Sequence, residues 1–144
     1  MPEQYRTELK IPAEPDFIPV AKRVAASLGG MQHFTLDEID ELAIAVAQAC
    51  DSTIDATHQM WGHGATLRLT YASTDKGIEV EVEAIAPHSP SALPRPRQSH
   101  PAADLEVQRL AQEMIRLFVD DFRSQVDTGR GQVRLRMVKY HLIG

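Results

Sequence analysis

At 144 residues, with 43% hydrophobic and 24% charged side chains, the chain has room for one ordinary hydrophobic core. A net charge of −5 with scattered Lys and Arg argues against a nucleic-acid-binding face, and no apolar run approaches the roughly 20 residues of a membrane span. The mixed-charge start MPEQYRTELK lacks the pattern of a secretory signal, and the single cysteine, Cys50, excludes an internal disulfide, so a soluble cytoplasmic protein is expected.

In chain order, residues 5–11 alternate, with Tyr5, Thr7, Leu9 and Ile11 on one side, as in a half-buried strand that Pro12 ends. A first helix fits 15–28, its core stripe being Phe17, Val20, Val24 and Leu28, with Gly29-Gly30 closing it. The capping box Thr35-Leu36-Asp37-Glu38 starts a second helix. Ile39, Leu42, Ala43, Val46, Ala49, Cys50 and Thr53 form its stripe, and it runs to about His58. Strands are expected at 65–72 and 78–86 as an antiparallel pair around a turn that ends in Gly77. Residues 87–102 hold five prolines and no periodicity, the mark of a long lid or binding loop within a domain spanning 1–144. Leu105, Leu110, Met114, Ile115, Leu117, Phe118 and Phe122 predict a third helix from Ala103 to about Asp121. The segment 122–140 reads as two strands around Asp127–Gly131, with Val133, Leu135 and Met137 on one face. This order predicts an α+β two-layer sandwich, a mainly antiparallel mixed sheet covered on one face by helices.

The stretches ELKIPAEPDF, FTLDEIDELAIAVAQAC, LFVDDF and VRLRMVKYH, in this order, resemble the anti-sigma-factor serine kinases of bacterial stress and sporulation pathways, built on the GHKL-type ATP-binding fold. In that family a glutamate on the second helix activates the attacking hydroxyl and an asparagine four residues on holds magnesium. The resemblance places Gln48 and Ser52 at these positions. A neutral amide cannot accept a proton as a general base must. Asp55, seven residues from Gln48 and close to the same face, is the candidate replacement. The family's Asp-x-Gly, in which the aspartate reads the adenine amino group, aligns with Ala84 and Ala86. Loss of that hydrogen bond costs about 1.5–3 kcal/mol, or roughly 10- to 100-fold in affinity. The glycine pair at the lid-to-helix junction aligns with Arg109 and Ala111.

The resemblance therefore implies an anti-sigma-type regulator in which ATP binding and kinase activity are lost or impaired. No cofactor is expected beyond weak ATP and magnesium. Its implied partners are a sigma factor and an anti-anti-sigma STAS protein, with Lys22 or Arg23 on the first helix at a partner-contacting position, and it implies a homodimer. The alternative is an active serine kinase using a rearranged site with Asp55 and Arg109. His58 and His63 lie near acidic residues, but HQMWGH has neither helical i,i+4 spacing nor a Cys/His framework, so no metal site is expected.

Overall fold

A computed structural model of the chain describes residues 5–88 and 101–141, with the backbone alone at 101–108 and at Thr128. Of the proline-rich segment expected at 87–102, positions 89–100 lie outside the described residues, while Pro101 and Ala102 already belong to a helix.

Strand β1 (Tyr5–Pro12) leads through a 3-10 turn (Pro15–Phe17) into α1 (Ile18–Met31) and α2 (Leu36–Trp61). Strands β2 (Thr66–Ser73) and β3 (Gly77–Ile85) follow, then α3 (Pro101–Phe118), β4 (Asp121–Asp127) and β5 (Gln132–Tyr140). The five strands form one sheet in the order β1-β2-β3-β5-β4, and all four pairings are antiparallel. The three helices cover one face. Burial alternates along every central strand as the period-2 geometry requires, so Leu67, Leu69, Tyr71, Ile78, Val80, Val82, Leu135 and Met137 point into the helical layer. The opposite face is polar. There Arg68 pairs with Glu83 at 2.8 Å, Arg134 with Glu81 at 2.9 Å, and Arg136 with Glu79, which knits β2, β3 and β5 across the strands.

The capping box at the start of α2 forms as expected. Thr35 Oγ1 accepts from the Glu38 amide at 3.1 Å, and Glu38 Oε1 accepts from the Thr35 amide at 2.8 Å. The same carboxylate meets His141 Nδ1 at 3.1 Å, so the end of β5 is tied to the start of α2. Leu42, Val46, Ala49, Cys50 and Thr53 are fully buried along the helix, and Lys139, reaching inward from β5, pairs with Glu41.

Two helical stripes differ from the expectation. On α1 the fully buried residues are Ala21, Ala25 and Gly29; of the expected stripe, Val24 and Leu28 pack half-buried against the core, while Phe17 and Val20 are 38% and 41% exposed. The cause is close packing of neighbouring side chains against the backbone on that side. A Cβ at Gly29 would lie 3.1 Å from Ile39, and Tyr71 donates its hydroxyl to the Ala21 carbonyl at 2.9 Å, so only small residues fit that side. The glycine pair does not end the helix. It continues to Met31, and the left-handed residue after it is His33, with φ 63°. On α3, Ala111 and Ile115 face the core whereas Leu110, Met114 and Leu117 are exposed. That helix stops at Phe118, and Phe122 enters the core from β4, not from a helix, because the chain is already extended at Asp121.

Cys50 sits at the centre of this core, and burial, with a smaller contribution from Asp51, pushes its thiol up to about 12. The thiolate is the reactive form, so at neutral pH the folded protein should not react with a maleimide. Labelling should appear only in denaturant. Fast, stoichiometric modification of the native protein would contradict the position given to Cys50.

Candidate functional site

The side of α2 that carries Gln48 and Ser52 is half-buried, between the core stripe and solvent. Spacing of four places the two side chains one above the other on that flank. Ser52 lines a small crevice with Ala56 of α2, Gln112 of α3, Val126 of β4, and Val133 and Leu135 of β5. Its volume is about 20 Å³, room for about one water molecule.

Ala84 lies at the far end of β3 on its inward face, 8% exposed, and packs with Ala56 and Val133 under Met60 and Trp61. Ala56 and Val133 are thus shared between the surroundings of Ser52 and those of Ala84. Positions 52 and 84, separated by 32 residues in sequence, meet through this apolar pair at the junction of α2, β3 and β5. Ala86 follows the strand and is exposed. On α3, Arg109 is exposed and Ala111 is buried against the core. Asp55 is exposed on α2; partial desolvation, and then neighbouring Asp51, raise its carboxyl above the usual range, with His58 opposing them. Lys22 and Arg23 are both exposed on α1.

What the pattern of residues at this junction can do chemically is limited. Gln48 offers an amide, Ser52 a hydroxyl and Ala84 a methyl group, so the flank can donate and accept neutral hydrogen bonds. A carboxylate that would take a proton or ligate magnesium is absent from positions 48, 52 and 84.

A second constellation was only half legible in the sequence, where His58 and His63 stood out but Glu14 did not and no metal site was expected. Gly62, with φ 73°, caps α2 and turns the chain so that His63 comes back over the last helical turn. The rings of His58 and His63 stand 4.6 Å apart at 54°, and both reach Glu14, which follows β1. His63 Nδ1 lies 2.9 Å from Glu14 Oε1, and His58 Nε2 lies 3.4 Å from Glu14 Oε2 and 3.1 Å from the Ala13 carbonyl oxygen. The hydrogen bond with His63 is the main cause that holds the Glu14 carboxyl below its ordinary range. The spacing of five between the histidines gave no helical signal, and the acidic partner lies 44 residues earlier than His58.

An antiparallel sheet covered by helices on one face, with a long second helix flanking the end of β3, defines an α+β domain of the GHKL type. Comparison with known proteins agrees: a Serine-protein kinase RsbW of Halalkalibacterium halodurans is 26% identical over 139 residues, covering 92% of this chain and 82% of that protein. The Serine-protein kinases RsbW of Bacillus velezensis and Bacillus subtilis are each 23% identical over 145 residues, covering 92% of this chain and 84% of their own length. No family model matches the chain. Over nearly its whole length the chain is therefore similar to serine-protein kinases of the RsbW type. Among the described residues, no helix is long and apolar enough to cross a membrane.

Proposed function

We propose that this protein is a cytoplasmic, homodimeric regulator that binds a sigma factor, an anti-anti-sigma STAS protein, or both, and does so without nucleotide-driven phosphoryl transfer. The observation that carries this reading is Ala84, a methyl group packed against Ala56 and Val133 where the family's adenine-reading aspartate would stand. The substitutions act together. Gln48 cannot serve as a base, Ser52 is a poor magnesium ligand, and Arg109 and Ala111 replace the glycines whose bare backbone would approach phosphates. Partner binding asks for none of these. The outer side of α1 supports it by presenting Lys22 and Arg23 beside the exposed side chains of Phe17 and Val20, a mixture of charge and apolar area suited to a protein surface.

Thermal unfolding with and without millimolar ATP and magnesium tests the reading. A ligand at 100 times its dissociation constant stabilises by about 2.7 kcal/mol, which a melting curve resolves easily. No shift is expected, and no phosphate should pass to a STAS-domain serine. Phosphate transfer that disappeared in Asp55→Ala would overturn the proposal and establish a working kinase with a rearranged site.

A further inference from the structure

We propose that Glu14, His58 and His63 form a binding site for a single zinc ion, at the point where the connection from β1 to α1 crosses the C-terminal end of α2. This inference does not depend on the proposed function.

The geometry carries it. The candidate ligand atoms of the three side chains all lie within 4.8 Å of one another. Zinc bound to imidazole nitrogen and carboxylate oxygen at about 2.0–2.1 Å in a tetrahedron requires donor atoms about 3.3 Å apart. The His58 Nε2 to Glu14 Oε2 separation is 3.4 Å and the His63 Nδ1 to Glu14 Oε1 separation is 2.9 Å, so each imidazole already stands near that distance from one of the two carboxylate oxygens. A turn of the exposed His63 ring and of the Glu14 carboxylate closes the wider separations. A metal at the centre would replace the protons that the two imidazoles now direct toward the carboxylate and the Ala13 carbonyl. That carbonyl oxygen, 3.1 Å from His58 Nε2, or a water supplies the fourth ligand.

The chemistry of the donors selects the ion. Two imidazoles and one carboxylate suit zinc and its borderline neighbours, whereas magnesium and calcium favour all-oxygen sets. The cluster also has an entry path. Glu14 and His58 are half-buried and fix the floor of the site, while His63 is 72% exposed in its side chain and leaves one side open to solvent. The fold holds the ligands from separate directions: His58 on the last turn of α2, His63 by the Gly62 turn, and Glu14 immediately after Ala13, whose amide donates to the Ala65 carbonyl at 3.0 Å. Zinc bound here would staple the root of α1 to α2.

The test uses the untagged full chain and zinc chloride. Calorimetry should show one zinc per chain, and zinc should raise the melting temperature. His63→Ala, His58→Ala and Glu14→Gln should each weaken binding at least as much as the roughly 10- to 100-fold typical of losing an outer-shell partner. His33→Ala, at the far end of α1 and exposed, should leave the zinc affinity unchanged. His63 is exposed enough that its removal leaves the fold intact, so lost binding in that variant reports the ligand itself. Trp61, the chain's single tryptophan, lies two residues from His63, and copper(II) should quench its fluorescence in the wild type and not in His63→Ala. Absence of bound zinc in the wild type, or an undiminished affinity in His63→Ala, would overturn the proposal.

Discussion

Replacing Gln48, Ser52, Ala84 and Ala86 by Glu, Asn, Asp and Gly should bring ATP-magnesium binding from millimolar to micromolar, a gain of about 4 kcal/mol, while making the free protein less stable. The two effects share one cause. Position 84 is nearly sealed among Ala56, Val133, Met60 and Trp61, so a carboxylate there loses hydration and has no partner until an adenine amino group arrives. Ala84→Asp alone should therefore cost about 2–3 kcal/mol, and nucleotide should return part of that loss in the quadruple variant. Ala86→Gly acts on exposed backbone, Ser52→Asn adds a metal ligand beside the crevice, and Gln48→Glu should affect turnover more than binding. Arg109 and Ala111 remain, so recovery stays partial. Isothermal calorimetry and melting curves read both quantities. A well-folded quadruple variant with unchanged ATP affinity would show that positions 48, 52, 84 and 86 do not line a nucleotide pocket.

Gly77→Ala should lower stability by about 3 kcal/mol, which for a domain of this size lowers the melting temperature by roughly 10 °C. A Cβ at this position would lie 2.1 Å from the Lys139 carbonyl oxygen and 2.8 Å from the Tyr140 Cα, both backbone atoms that cannot rotate away. Strands β3 and β5 would have to separate where Gly77 pairs with Tyr140, and the turn bond from the Thr74 amide to the Gly77 carbonyl would move with them. Gly30→Ala provides the internal contrast. It lies in α1 with nothing within 4 Å of an added Cβ, so it should stabilise by about 0.5–1 kcal/mol through helix propensity. Equal and small effects at the two glycines, measured by chemical denaturation, would contradict the strand packing described.

These two glycines show what the sequence could and could not reveal. Gly77 was legible as a hairpin residue, yet the structure requires it for lack of space and not for a positive φ. Gly29-Gly30 looked like a helix stop because glycine usually is one, but contact with Ile39 and Phe34 makes Gly29 a packing residue. Local signals read well where the cause is local. The Thr35 capping box, the alternation of Val133, Leu135 and Met137, and the β2-β3 hairpin all depend on neighbours within a few residues.

Signals failed where tertiary distance decided the outcome. The periodicity of Phe17, Val20, Val24 and Leu28 is helical, but which flank of α1 is buried depends on how close α2 and Tyr71 approach. Leu110, Met114 and Leu117 are likewise helical in spacing and exposed in fact. At the candidate site, the residues at positions 48, 52 and 84 could be named from resemblance, while the Ala56 and Val133 contacts that join two of them required the sheet register. Glu14, His58 and His63 had no common period at all, since a strand exit, a helix end and a left-handed turn bring them together.

The polar face of the sheet has a consequence for the electric field around the molecule. On its outward positions Arg6, Lys10, Arg68, Arg123, Arg134 and Arg136 stand against an equal number of acidic groups, Glu8, Glu79, Glu81, Glu83, Asp121 and Asp127. That surface cancels itself, so the whole formal charge of −5 is carried by the rest of the molecule, its helices, loops and termini. The protein is thus electrically lopsided, and a basic molecule diffusing toward it is drawn away from the sheet. Such steering speeds encounter without adding a bound contact, and it fades over a screening length of about 8 Å at physiological salt. Ionic strength should therefore slow association on the helical side and leave encounters at the sheet nearly unchanged.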